Sequence, residues 1–154
     1  MSGYAHDHEK CVRDALNSAQ RLCGERGVRL TPLRKRVLEL VWQSHEAIKA
    51  YALLDKLGGA GASAKPPTVY RALEFLLAQG LIHRIESDNA YTGCRHPETP
   101  HECQLLICDD CHHVEEVTIT SVSDTLRQQA GKHGFRVNRQ MVEIHGQCPA
   151  CAGS

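Results

Sequence analysis

The chain has 154 residues, enough for one medium domain or two small ones, and 42% of them are hydrophobic. Its 18 basic residues balance 18 acidic ones, so the bulk charge does not indicate a polyanionic partner. The N-terminal residues contain no apolar signal-peptide core, and no apolar run approaches the roughly 18 residues of a membrane span. We therefore expect a cytoplasmic protein without membrane association, in which eight cysteines stay reduced and available to metal ions.

Residues 9–26 place apolar side chains at intervals of three or four, which predicts an amphipathic helix ended by Gly24 or Gly27. Cys11 and Cys23 belong to this helix. We interpret both as small apolar side chains, because no other candidate ligand is close to them in sequence.

A second helix is predicted to begin at Pro32, with Thr31 as its N-cap. Its apolar residues leave the basic run 34–36 pointing largely outward. This run either forms a solvated face or contacts phosphates, and the sequence does not decide between the two.

Residues 50–57 predict a short third helix, and a fourth begins at residues 66–68. The fourth helix carries Thr68, Tyr70 and Arg71 near its N-terminal end, on a face away from its leucines. Hydroxyl, phenol and guanidinium groups in this position suit DNA base edges and phosphates, although an ordinary exposed surface can carry the same residues.

Two short apolar stretches, 81–86 and 90–92, flank the polar residues 87–89 and predict a β-hairpin. Helices followed by a hairpin have the order of a winged-helix domain, whose wing lies beside its recognition helix. The weak signals of the fourth helix and of the hairpin therefore support each other.

Residues 94–101 contain two prolines and no apolar run, which predicts a hinge. We accordingly expect a DNA-binding domain over residues 1–93 and a second domain over residues 102–154. The elements predicted for the second domain are strands at 104–108 and 114–118, a helix at 123–132 and a strand at 135–145. The predicted fold class is α+β, with a winged helix followed by a small α/β domain.

Two C-x-x-C pairs, Cys108 with Cys111 and Cys148 with Cys151, form a strong four-thiolate metal signature. Zinc is the expected ion. The 36 residues between the pairs exceed the spacing of a single zinc ribbon, so we expect the metal to join elements distant in sequence.

A zinc deaminase is the alternative from another class, since His113-Val114-Glu115 followed later by a C-x-x-C pair resembles its signature. Gln147 precedes Cys148, where the deaminase signature has proline. A four-sulfur site also leaves no coordination position for a catalytic water. We therefore predict no enzymatic activity, no catalytic residues and no small-molecule substrate.

Several motifs together resemble the ferric uptake regulator family, and in particular its zinc-sensing branch. They cover residues 28–151 in the order of the family. The motifs are Arg29-Leu-Thr-Pro, Pro67-Thr-Val-Tyr-Arg-Ala-Leu, Gln79-Gly-Leu-Ile-His, Ile107-Cys-Asp-Asp-Cys and His145-Gly-Gln-Cys-Pro-Ala-Cys.

This resemblance implies a zinc-responsive repressor that binds palindromic operator DNA as a homodimer and controls zinc-uptake genes. The second domain is then the dimerisation domain, and a two-fold protein suits a palindromic site. The resemblance also implies that Tyr51 and Arg71 contact DNA. Another metal sensor or a peroxide sensor of the same family is the alternative.

The resemblance further implies a second, regulatory zinc in each subunit, giving two ions per subunit. Its ligands fall on His83, Cys94, His101 and Glu116. The interval from Cys94 to His101 is about one residue shorter than the family pattern, so His96 is a possible substitute for Cys94.

Two positions depart from the iron- and peroxide-sensing members, which typically have an aspartate and a histidine where this chain has Gln104 and Leu105. A site with the soft thiolate of Cys94 suits zinc better than Fe(II) or Mn(II). Cys103 stands where such proteins often carry another histidine. It is either an additional ligand or a buried thiol, and we favour the thiol.

Overall fold

Two units, Met1–Glu98 and Thr99–Ser154, make up the chain, and each contains its own three-stranded sheet. The computed structural model describes residues 7–43, 45–58, 65–99 and 102–153. The fold is α+β, as the sequence predicted. Within the described ranges, no helix is both long enough and apolar enough to cross a membrane.

The first unit contains four helices and three strands in its described part, and polar side chains cap the first two helices. Asp7 accepts a hydrogen bond from the backbone N–H of Lys10, and Thr31 caps its helix, as predicted, by accepting one from Arg34. The elements are α1 (His8–Glu25), α2 (Pro32–Trp42), β1 (Ile48–Lys49), α3 (Ala50–Gly58), α4 (Pro66–Ala78), β2 (Ile82–Ile85) and β3 (Ala90–Gly93).

The core of the first unit consists of the inward faces of its helices and the strands that pack against them. Its helical residues recur at three- and four-residue intervals, which is why the sequence pattern predicted the helices. The fully buried side chains of this core include Cys23, Val37, Leu38, Leu53, Leu73, Leu76 and Ile82. Cys23 is thus an apolar core residue, as predicted.

The wing is the antiparallel hairpin of β2 and β3, in which His83 pairs with Thr92. The predicted hairpin is therefore correct. Asn89 takes the left-handed conformation in its turn, with φ of 46°. Strand β1 adds to the far side of β3 and was not predicted from the sequence.

Arg34 joins α2 to α4. Its guanidinium lies over the ring of Phe75, 3.7 Å from the centroid, and donates a hydrogen bond to the carbonyl of Arg29 at 2.7 Å. Lys35 and Arg36 are exposed, as predicted, whereas the half-buried Arg34 is a packing residue within the unit.

The second unit contains a three-stranded sheet in the order β5 (Val114–Val117), β4 (Gln104–Cys108), β6 (Val142–Gly146). Strand β4 pairs antiparallel with β5 and parallel with β6. The predicted strand at 135–145 is too long, because its partner β4 begins only at Gln104, opposite Val142. The elements are β4 (Gln104–Cys108), β5 (Val114–Val117), α5 (Thr120–Lys132), β6 (Val142–Gly146) and α6 (Pro149–Ala152).

A buried amide fixes the start of α5 against β4. Gln104, which is 2% exposed, accepts a hydrogen bond from the backbone N–H of Ile119 at 2.9 Å and donates one to the hydroxyl of Ser123 at 3.3 Å. Its polar groups are thus satisfied inside the unit.

Candidate metal centre and nucleic-acid interface

The four sulfurs of Cys108, Cys111, Cys148 and Cys151 converge at one end of the second sheet. All four lie within 4.8 Å of one another, and those of Cys111 and Cys148 are 3.7 Å apart. These are the four residues whose spacing predicted a metal site.

Parallel pairing explains why two motifs so distant in sequence meet. Strands β4 and β6 run in the same direction with Cys108 opposite Gly146, so both cysteine pairs follow the same edge of the sheet. Cys148 is the N-cap of the one-turn helix α6, which brings Cys151 to the same side. The backbone N–H of Cys148 also donates to the Cys108 sulfur at 3.3 Å.

The sulfurs differ in how readily they ionise. Backbone N–H groups of Cys111 and Cys148 lower the pKa of Cys108 to about 6. Hydrogen bonding to the other three cysteines raises the pKa of Cys151 to about 12. Cys108 and Cys151 therefore do not ionise together unless a cation balances their charge.

Side chains next to the cysteines tie the two motifs together. The Nδ1 atom of His145 lies 3.1 Å from the Asp109 carboxylate and its Nε2 atom lies 3.2 Å from that of Glu143. These two carboxylates raise the pKa of His145. The Gln147 amide donates to Asp110 at 2.8 Å.

The donor set fits zinc, which takes four thiolates in tetrahedral structural sites. Such a site is closed, because protein sulfurs fill every coordination position. The deaminase alternative needs an open position for water and is therefore disfavoured by the convergence of all four sulfurs.

The residues predicted for the regulatory zinc lie on separate elements. In the first unit, His83 is half-buried on β2, and Cys94 directly follows β3 and is 3% exposed. In the second unit, Glu116 is half-buried on β5. His101 lies outside the described residues, and His96, the possible substitute, is exposed.

Cys94 borders a cavity of about 300 Å³ within the first unit. Cys11, Trp42 and His45 line the same cavity. The backbone N–H of Cys94 donates to the carbonyl of Leu81 at 3.0 Å, which holds it beside the wing.

Cys103 is a candidate ligand that the sequence alone did not favour. It is 6% exposed, and its sulfur lies within 4.8 Å of a Glu116 carboxylate oxygen. Burial and the nearby Glu116 carboxylate raise the pKa of Cys103 to about 11. The strand register of the structure accounts for this pairing, because it places Glu116 opposite Leu105, two residues after Cys103.

The residues predicted to contact DNA are exposed on the first unit. Tyr51, near the start of α3, is 71% exposed, and Tyr70 on α4 is 39% exposed. Thr68 and Arg71 are also exposed in the first turns of α4. The opposite side of α4 is buried through Val69, Ala72, Leu73 and Leu76, so the helix presents its polar face outward.

The ferric uptake regulator family profile matches residues 25–145. The chain is 45% identical to the zinc uptake regulation protein of Escherichia coli (strain K12), over 91% of this chain and 82% of that protein. A zinc uptake regulator complexed with zinc and DNA has a TM-score of 0.87 and 44% identity, covering 92% of this chain and 95% of its own. The crystal structure of holo XcZur matches with a TM-score of 0.85 and 42% identity, and the match covers 92% of this chain and 99% of the XcZur chain.

The motifs, the winged-helix unit and the four-cysteine centre thus agree with these similarities. The chain belongs to the ferric uptake regulator family.

Proposed function

We propose that this chain is a zinc-responsive transcriptional repressor that binds palindromic operator DNA as a homodimer and controls zinc-uptake genes. The observation that carries the proposal is its likeness, over 92% of its length, to a zinc uptake regulator complexed with zinc and DNA. It acts in the cytoplasm, where the operator DNA is found, and has no enzymatic role.

DNA recognition is assigned to the exposed face of α4 together with Tyr51. A helix of this kind enters the major groove with its N-terminal residues at the base edges. Arg71 can bind a guanine edge with two hydrogen bonds, and Thr68 and Tyr70 can donate to bases or phosphates.

A homodimer is supported by the apolar surface of the second unit. Leu106 on β4 and Ile144 on β6 are paired neighbours, yet they are 39% and 50% exposed. Phe135 is 73% exposed. Adjacent apolar side chains on the open face of a sheet favour a partner surface, and a second copy supplies the two-fold symmetry that a palindrome requires.

Two zinc ions per subunit are proposed, one structural and one regulatory. The structural ion is held by Cys108, Cys111, Cys148 and Cys151. Four thiolates enclose their ion too tightly for it to report on a changing supply, so sensing is assigned to a separate site.

The regulatory ion is assigned to His83, Cys94, His101 and Glu116. These residues belong to the wing, the hinge and the second unit, so ligation would link these three segments of the chain. When bound, the ion supplies the link that fixes the two winged helices of a dimer at the spacing of the half-sites. Operator affinity then depends on the fraction of molecules in that arrangement.

A coupling free energy of about 1–3 kcal/mol, typical of allostery, corresponds to roughly a 5–150-fold change in operator affinity. Metal analysis distinguishes a zinc sensor from the alternative, which is another metal sensor or a peroxide sensor of the same family. Titration of the purified protein with Zn²⁺, Fe²⁺, Mn²⁺ and Ni²⁺ should show that zinc promotes operator binding at the lowest free concentration.

The function is tested with an operator selected from a random duplex library in the presence of zinc. Zinc should raise the affinity of the parent protein for this duplex. His83→Ala should retain one zinc per subunit and lose this rise in affinity. A His83→Ala protein that keeps two ions and the full response would refute the regulatory site.

The DNA interface is tested by Arg71→Ala. We expect a loss of about 1–3 kcal/mol in operator affinity, as for an arginine that binds a base edge with two hydrogen bonds, without any change in zinc content. Arg136→Ala, an exposed arginine of the second unit, is the charge-matched control. Equal affinities of the two variants would contradict the role of α4.

A further inference from the structure

Cys103 and Glu116 form a pair of potential metal ligands within the second unit. The Cys103 sulfur and a Glu116 carboxylate oxygen lie within 4.8 Å of each other. Cys103 is nearly buried and Glu116 half-buried, so both belong to a surface that is partly shielded from water.

The strand register explains why these two side chains meet. Cys103 immediately precedes β4, and alternation along the strand gives it the same face as Leu105. Leu105 pairs directly with Glu116 on β5. Glu116 is therefore the diagonal neighbour of Cys103 on that face, a relationship that the pairing itself maintains.

A buried cysteine that serves only for packing is expected among apolar atoms. Cys103 instead has a carboxylate at close range. Zinc binds sulfur at about 2.3 Å and carboxylate oxygen at about 2.0–2.2 Å, so a tetrahedral ion sets these two donors on the order of 3.5 Å apart. Small side-chain rotations allow Cys103 and Glu116 to share one ion.

We propose that the thiolate of Cys103 is a direct ligand of the regulatory zinc, beside Glu116, so that this ion has two thiolate donors instead of one. The proposal rests on the regulatory site described under the proposed function. On binding, the Cys103 thiol releases its proton to solvent and its sulfur forms a bond to the ion.

A second thiolate changes which metal ion the site prefers and how zinc affinity responds to mutation of its ligands. Soft sulfur ligands favour zinc over Fe(II) and Mn(II), which prefer oxygen and nitrogen. With Cys94, His83 and His101, the site then has five donors for an ion that usually takes four. Loss of either thiolate therefore weakens zinc binding without abolishing it, whereas loss of both removes the soft character of the site.

The test uses full-length protein that retains its structural zinc and has been depleted of the regulatory ion. Co²⁺ is added to the parent, to Cys103→Ser, to Cys94→Ser and to the double variant. The near-ultraviolet absorption of sulfur-to-cobalt charge transfer counts thiolate ligands. We expect each single variant to show about half of the parent's absorption and the double variant to show none.

Zinc affinity is measured in parallel by competition with a chromophoric chelator. Cys103→Ser should lower the affinity at least about 10-fold, since even residues that only orient a ligand typically change metal affinity by 10–100-fold. Cys23→Ala, which removes a fully buried thiol from the core of the first unit, is the matched control and should leave both readouts unchanged.

Cys103→Ala is included because it keeps an apolar side chain at a buried position if serine disturbs folding. If both Cys103 variants bind cobalt and zinc as the parent does, while Cys94→Ser is impaired, Cys103 is only a buried thiol and the proposal is overturned. If His83→Ala also leaves the second ion in place, the regulatory site itself is misassigned, and both proposals fail.

Discussion

The indole ring of Trp42 covers Gly93 so closely that a Cβ atom at position 93 would overlap the ring. Trp42 ends α2, and Gly93 ends β3 immediately before Cys94. The contact therefore fixes the point at which the chain leaves the wing.

Gly93→Ala is expected to destabilise the first unit by about 1–3 kcal/mol, the usual cost of forcing an extra methyl group into a packed site. Denaturant unfolding followed by helical circular dichroism measures the change. Gly24→Ala is the control, since a Cβ at that position has nothing within 4 Å apart from its chain neighbours and the backbone of its own helix. An unchanged free energy of unfolding for Gly93→Ala would mean that the Trp42 indole moves away at little cost in free energy.

Arg26 links the end of α4 to the chain beyond the wing. Its guanidinium donates to the carbonyl of Gln79 at 2.7 Å and to that of Pro97 at 3.1 Å. Arg26→Gln should lower global stability by only about 1 kcal/mol, because these hydrogen bonds are solvent-exposed. Amide hydrogen exchange over residues 94–99 should accelerate much more, because this segment loses its attachment to the helices.

Arg21→Gln provides the comparison for Arg26. Arg21 lies on α1, which ends just before Arg26, and it pairs with Glu98 at 3.9 Å, but both side chains are about half exposed. Exposed ion pairs contribute little, so exchange over residues 94–99 should hardly change. Equal acceleration in both variants would show that the loss of charge, rather than the Arg26 hydrogen bonds, controls this segment.

Gln104→Leu should destabilise the second unit by about 1–3 kcal/mol. The leucine fills a similar volume but leaves the backbone N–H of Ile119 without the acceptor that Gln104 provides. Ser123→Ala removes only the longer, 3.3 Å hydrogen bond and should cost less. The unfolding midpoints of both variants, measured with the structural zinc bound, show which substitution destabilises the unit more. A larger loss of stability for Ser123→Ala than for Gln104→Leu would contradict the role given to the Gln104 amide.

His145 should make stability depend on pH. Its folded-state pKa is raised by Asp109 and then by Glu143, so the charged imidazole stabilises the fold. This contribution is complete below the unfolded pKa of about 6.5 and disappears as the pH rises through the raised folded value. The stability difference between the parent and His145→Gln should therefore be larger at pH 6 than at pH 9.

Asp109→Asn removes the main cause of the raised His145 pKa. In the Asp109→Asn protein, the difference in stability between the variants with histidine and with glutamine at position 145 should vary less with pH. Protonation of the zinc ligands affects both members of each pair and largely cancels in the difference. An unchanged pH profile would place the cause of the shift elsewhere.

Local patterns in the sequence predicted most elements of the fold, because helix periodicity, the Thr31 cap and the turn before Ala90 depend on neighbouring residues. Non-local pairings were harder to predict. The two-residue strand β1 has too little pattern to be recognised, and it exists only because Ile48 meets Tyr91. The closeness of Cys103 and Glu116 likewise depends on a register that spacing alone does not reveal.

The parallel pairing of β4 with β6 also determines when the four-cysteine centre can be completed. Cys108 and Cys111 leave the ribosome first, and 36 residues separate them from Cys148. At 5–20 residues per second, this interval lasts roughly 2–7 s. During that time Cys108 and Cys111 are two ligands of an incomplete site, and their thiols are open to oxidation or to other metal ions. The two thiols are protected only once β6 has joined the sheet.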